Sequence, residues 1–229
     1  LGRNQIFDLT PLEELPKLGY LRLQGNKIKD ITPIGGLSNL HTLYLENNQI
    51  MEISPVMNLI ELSGLDLSGN QIIDLSPLSG LRSLKNLFLG SNKIVDISPL
   101  EKLNPYSLRL DNNQLRDITS LSKLFLHELY LENNHITDIS PLIKHTGLED
   151  LRLGKNKVSD ISTLGSLYNL RRLNLEDNQI KDVSPLGRLL RLSSLELSEN
   201  PIFKNENACP MDDDTNPRLR EFCKNYLKE

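Results

Sequence analysis

The residues able to do metal or covalent chemistry are four histidines, two cysteines and a column of acids. His41 and His127 stand just before apolar pairs, His135 follows an asparagine, and His145 occupies a position that is leucine elsewhere. No shared position gathers them at one ion, so solvated or packed imidazoles are expected. A structural zinc needs Cys and His ligands at characteristic close spacing. Neither a CxxC nor an HExxH occurs, and no metal is expected. Cys209 and Cys223 lie together in one short irregular stretch. They admit a disulfide closing a modest loop, or two reduced thiols buried as small hydrophobes. The disulfide is preferred, because both cysteines fall in one small region; it would imply an oxidising compartment. The acids are Asp8, Asp30, Glu52, Asp74, Asp96, Asp117, Asp138, Asp160 and Asp182, each two residues before a Ser or Thr. Calcium-binding repeats are Gly-rich nonapeptides, which are absent here. The acids read instead as acceptors of backbone hydrogen bonds in a turn. No Gly-x-Ser-x-Gly, P-loop or dinucleotide fingerprint appears, so neither catalysis nor a cofactor is expected.

These acids recur because the whole chain recurs. Asparagine marks the phase at Asn4, Asn26, Asn48, Asn70, Asn92, Asn113, Asn134, Asn156, Asn178 and Asn200, at spacings of 22 or 21 residues. Before each marker come leucine pairs such as Leu21/Leu23, Leu43/Leu45 and Leu173/Leu175. Two leucines one residue apart point to the same face of a strand, so stacked repeats give a parallel sheet with one leucine wall. The asparagine amide both donates and accepts, and can satisfy backbone groups of neighbouring turns. A Ser or Thr follows six residues later, with Pro after it in seven of nine repeats. That pattern predicts a hydroxyl N-cap, proline at the first helical position and one short 3₁₀ turn per repeat. The spacing shortens to 21 at Asn92–Asn113 and Asn113–Asn134, and the missing residues fall in the return to the strand, near 104–106 and 125–126.

The pattern Leu-x-x-Leu-x-Leu-x-x-Asn-x-Ile-x-Asp-Ile-Ser-Pro-Leu resembles the 22-residue leucine-rich repeats of bacterial internalin-like proteins, over residues 1 to about 202. It is also similar to the repeats of eukaryotic phosphatase regulators, which usually lack Ser-Pro on the convex side. The resemblance implies an α/β solenoid: a horseshoe with a concave parallel β-sheet, convex 3₁₀ or short helices and a C-terminal helical cap. The expected division is 1–202 as the solenoid, its first repeat truncated at Leu1, and 203–229 as the cap. Leu1 already lies inside a repeat, which reads as an excised or processed fragment. In the cap, Thr215-Asn216-Pro217 reads as a helix start, and Leu219, Phe222, Cys223, Tyr226 and Leu227 share one apolar face.

Composition narrows the partner. The net charge of −4 offers no basic field for nucleic acid, and no apolar run approaches a membrane span. The position between the two strand leucines points to solvent on the concave face. It holds Arg22, Tyr44, Asp66, Phe88, Arg109, Tyr130, Arg152, Asn174 and Glu196, with Tyr20 on the same face. Four of the eleven aromatics thus fall where the fold does not require them. Aromatics and arginines dominate binding hot spots, although aromatics also suit any strand. Tyr20, Arg22, Tyr44, Phe88, Arg109, Tyr130 and Arg152 are the expected contact residues for a protein ligand. A mixed-charge rim that includes Asp111, Glu128, Glu132, Asp150, Arg172 and Glu176 suits a protein better than a polyanion. A monomeric recognition module is expected. The internalin-like resemblance implies a secreted or cell-surface location. The alternatives are a cytoplasmic scaffold or regulatory subunit, and the sensor portion of a larger enzyme.

Overall fold

The computed structural model describes residues 1–202, 208–210 and 212–226. The chain forms two compact units, one of Leu1–Leu115 with Lys123–Phe125, the other of Arg116–Ser122 with Leu126–Glu229. The first unit carries strands β1 (Tyr20–Arg22), β2 (Thr42–Tyr44), β3 (Gly64–Asp66), β4 (Asn86–Phe88) and β5 (Ser107–Arg109). They pair in parallel and in order, with Leu21, Leu43, Leu65, Leu87 and Leu108 in register. The second unit carries β6 (Glu128–Tyr130), β7 (Asp150–Arg152), β8 (Arg172–Asn174) and β9 (Ser194–Glu196), again parallel and sequential. Leu87 pairs with Leu108 although they are 21 residues apart. The Tyr106 N–H reaches the Lys85 carbonyl just as Lys85 reaches Ser63, so the lost residue comes from the return at 104–105, as its position predicted. Behind the strands of each unit, leucines and isoleucines of the strand, turn and return are buried together. Each fully buried leucine contributes about 1.5–3 kcal/mol, but only against the next coil.

The asparagine column is a hydrogen-bonded ladder. Asn48 Nδ2 donates to the Leu23 and Leu45 carbonyls at 3.0 and 2.9 Å, and its Oδ1 accepts the Ile28 N–H at 3.1 Å. Asn156 repeats this in the second unit with Leu131, Leu153 and Ile136. The residue before each marker adopts the left-handed conformation. Gly25 and Gly69 do so freely, while Asn47, Ser91, Lys155, Asp177 and Glu199 carry the strain of a side chain at φ of 51–58°.

A 3₁₀ turn opens at the Ser or Thr of each repeat, for example Ser54–Asn58 and Ser98–Leu100. The expected hydroxyl N-cap is not formed. Ile53 and Ile97 occupy the cap positions and no side chain caps from there. The acid caps the turn instead. Asp96 Oδ1 accepts the Ser98 N–H at 2.8 Å, and the Ser98 hydroxyl donates to Asp96 Oδ2 at 2.9 Å. A carboxylate is the stronger acceptor, so the hydroxyl becomes a donor to it. Hydrogen bonds from the Thr10 and Ser76 hydroxyls, and then from their N–H groups, hold the Asp8 and Asp74 carboxyls below the ordinary value.

The second unit closes with α1 (Pro217–Tyr226). Asn216 begins it as read from the sequence. Its Oδ1 accepts from the Arg218 and Leu219 N–H groups, and its Nδ2 donates to the Leu189 and Leu192 carbonyls of the last repeat. Leu219 and Cys223 are buried, and Cys223 forms a disulfide with Cys209 across 5.5 Å between Cα atoms. Leu227 lies outside the described residues.

Candidate functional site

The open face of the strands in each unit, opposite the leucines, is built from the first and third residues of every strand. In the first unit the Arg22 guanidinium lies 5.2 Å from the Tyr20 ring and 5.3 Å from the Tyr44 ring. The two rings meet edge to face, 5.8 Å apart. β1 positions Tyr20 and Arg22, and its register brings Tyr44 beside Arg22. Glu46 is half-buried beyond them and its Oε2 has no hydrogen-bond partner. Burial raises its carboxyl pKa, the Asp66 charge adds to this, and Arg22 and Arg3 oppose it. Phe88 and Arg109 form a second stack at 5.0 Å. Asp66 of β3 separates Phe88 from Tyr44, so the first unit carries two patches rather than one stripe.

In the second unit Arg152 stacks on Tyr130 at 4.8 Å. Two sequence expectations need correction here. Tyr130 is not solvent-facing but only 7% exposed, because Arg152 covers its ring and its hydroxyl donates to Asp150 Oδ2 at 3.2 Å. Asp150 is not a rim residue but is 1% exposed. Its Oδ1 accepts from Arg152 Nε at 3.3 Å and its Oδ2 from Arg172 Nε at 2.6 Å. A buried carboxylate persists only when paired, and this one has two guanidinium partners. The register supplies the reason: Asp150 and Arg172 are direct partners on β7 and β8, and Arg152 lies two residues further along the same face. That pairing was the available signal for the cluster, and single-column reading missed it.

The seven anticipated residues therefore assemble as Tyr20–Arg22–Tyr44, Phe88–Arg109 and Tyr130–Arg152, the last joined by Asp150 and Arg172. His145 is buried at a leucine position, its ring nitrogens without a formed hydrogen bond. Burial lowers its pKa, opposed by the Leu142 and Leu121 carbonyls. Among the described residues no group of three or more His, Cys, Asp or Glu side chains is placed to hold a metal ion. No helix among them is long and apolar enough to cross a membrane.

Residues 16–56, 60–102 and 125–166 match the family model for leucine-rich repeats in its two-copy form. No curated protein matches the chain. Among solved structures, an internalin (InlF) from Listeria monocytogenes is 33% identical, covering 87% of this chain and 72% of its own, with a TM-score of 0.61. Internalin C2 from the same species is 38% identical, covering 81% and 84%, with a TM-score of 0.76. The plant peptide hormone receptor RGFR1, in complex with RGF2, is 26% identical over 83% of this chain and 34% of the receptor, with a TM-score of 0.70. The asparagine ladder and the acid-capped 3₁₀ turns recur through both units, the family model covers more than half of the residues, and two internalins exceed 30% identity over most of their lengths; the chain belongs to the leucine-rich-repeat family, among its internalin-like members.

Proposed function

We propose that this chain is a recognition module that binds a protein ligand through the open sheet faces of its units. Tyr20, Arg22, Tyr44, Phe88, Arg109, Tyr130 and Arg152 are its contact residues. The observation that carries this reading is the set of arginine–aromatic stacks on faces that the leucine core does not need. Stacked side chains have already lost rotamer freedom, which lowers the entropic cost of binding. The mixed charge around them favours a protein over a polyanion. RGFR1, a hormone receptor with related repeats, was solved with RGF2 bound, which supports a peptide or protein ligand. In this reading 1–202 is the binding solenoid and 203–229 its cap. The protein acts by binding rather than by catalysis, outside the cytoplasm, where the Cys209–Cys223 bridge persists.

The test is an alanine scan read by capture of the partner from crosslinked material. Tyr44→Ala and Phe88→Ala weaken capture and leave the melting temperature nearly unchanged. Tyr130→Ala weakens capture and also lowers stability, because it removes a donor from Asp150. Lys102→Ala and Lys123→Ala on the turn side change neither. Loss confined to those lysine variants would overturn the assignment of the binding face. Two titratable thiols in the unreduced, unfolded protein would move it to the cytoplasm as an intracellular scaffold.

A further inference from the structure

The cluster on the second unit does more than present an aromatic ring. One buried carboxylate, Asp150, faces two guanidinium groups, so the three carry a net charge of +1. Each arginine spends its Nε–H on Asp150, and the Nη groups of Arg152 and Arg172 meet no acceptor among the described residues. Both side chains remain about half exposed, at 42% and 54%. Close by, Glu176 is half-buried. Glu196 is held by the Ser198 hydroxyl and N–H. Arg152, Arg172, Glu176 and Glu196, with Asn174 and Ser194, line one depression of about 320 Å³.

The charges in this depression are segregated. The guanidinium groups start from the end of β7 and the beginning of β8, whereas Glu196 ends β9, two strands across from Arg152, and Glu176 lies two residues beyond β8. A ligand with only negative charge meets Glu176 and Glu196; one with only positive charge meets Arg152 and Arg172. Both signs are accommodated only when held apart. Arg152 and Glu176 are one strand and two residues apart, about 8 Å from the rise per residue and the strand spacing. An extended peptide places side chains i and i+2 on one side, about 7 Å apart.

Resting on the recognition role proposed above, we propose that this depression receives an extended segment of the protein partner carrying an acidic and a basic side chain two residues apart. The acid takes the free Nη groups of Arg152 and Arg172, the planar, multidonor geometry that favours carboxylates. The base lies against Glu176 and Glu196.

Four blocked tripeptides test this on the full chain by NMR titration: Asp-Gly-Lys, Lys-Gly-Asp, Asp-Gly-Asp and Lys-Gly-Lys. The two dipolar peptides shift the amide signals of Asp150, Arg172 and Glu176 and bind about fivefold more tightly than either like-charged peptide, the scale of one solvent-accessible ion pair. Glu176→Lys, which touches none of the Asp150 hydrogen bonds, reverses the order so that Asp-Gly-Asp binds best. Absence of localised shifts, equal affinity for all four peptides, or an unchanged order in Glu176→Lys each overturns the proposal. These outcomes are separable from the recognition role itself. A chain that loses partner capture on Tyr44→Ala and Phe88→Ala yet shows no dipolar preference keeps its binding face and loses only this subsite.

Discussion

Replacing Asn156 by alanine isolates the ladder that holds the second unit's coils together. Asn156 makes three short bonds: Nδ2 to the Leu131 and Leu153 carbonyls at 2.9 and 3.0 Å, and Oδ1 from the Ile136 N–H at 3.0 Å. Counting each lost partner as a buried orphan, at about 1–3 kcal/mol apiece, overstates the cost. The Leu131 carbonyl also accepts from Asn134, and the Leu153 carbonyl from Asn178, each at 3.0 Å. Only the Ile136 N–H is left without a partner. One orphaned donor plus two acceptors reduced to single bonds amounts to about 2–4 kcal/mol. Urea denaturation followed by far-ultraviolet circular dichroism measures it, and the Ile136 amide should lose protection from hydrogen exchange. Asn156→Asp adds a sharper contrast. It keeps an acceptor for Ile136 but sets a carboxylate against two carbonyls, so at neutral pH it costs more than alanine and recovers as acid protonates it. A loss below about 0.5 kcal/mol in Asn156→Ala, with Ile136 still protected, would refute the ladder as a source of stability.

Three further outcomes follow from the same structure. Lys155, at φ 58°, gains about 0.5–1 kcal/mol on replacement by glycine, whereas Gly69→Ala loses more than that, since its Cβ would lie 2.5 Å from Asn47 Oδ1; urea midpoints decide both. His145 titrates below the ordinary histidine value of 6.5 because burial disfavours its cation, so its contribution to stability is complete above that value and is lost as pH falls below it. Wild-type melting temperature therefore drops between pH 7 and 5, and His145→Leu flattens that dependence; parallel profiles for the two proteins would refute the account. The Cys209–Cys223 bridge spans 14 residues, so reduction destabilises the α1 region by about 3 kcal/mol, read from exchange at the Leu219 amide. The unreduced, unfolded chain should bind no thiol reagent.

Much of the architecture was legible before any coordinates. Leucine pairs, the asparagine marker and the aliphatic two residues later set strand, ladder and buried wall, because each repeat packs only on its neighbours and one-dimensional periodicity carries the packing rule. The acids were legible as turn acceptors for the same local reason, though the sequence could not rank carboxylate against hydroxyl, and the hydroxyl cap proved wrong. The disulfide was one of two open readings until Cys209 and Cys223 were seen at bonding distance. The left-handed column was weakly marked by Gly25, Asn47 and Gly69 and hidden by Lys155 and Glu199, whose types give no hint of it. The candidate site was half legible. Which residues reach the open face follows from strand alternation, but which of them touch depends on three strands at once. Tyr130 and Asp150 read as solvent-facing one column at a time; they are buried because the register of β6, β7 and β8 lays Arg152 over the ring and brings Arg172 onto the carboxylate. A charge is buried only where its partners converge, and that convergence is a property of tertiary structure.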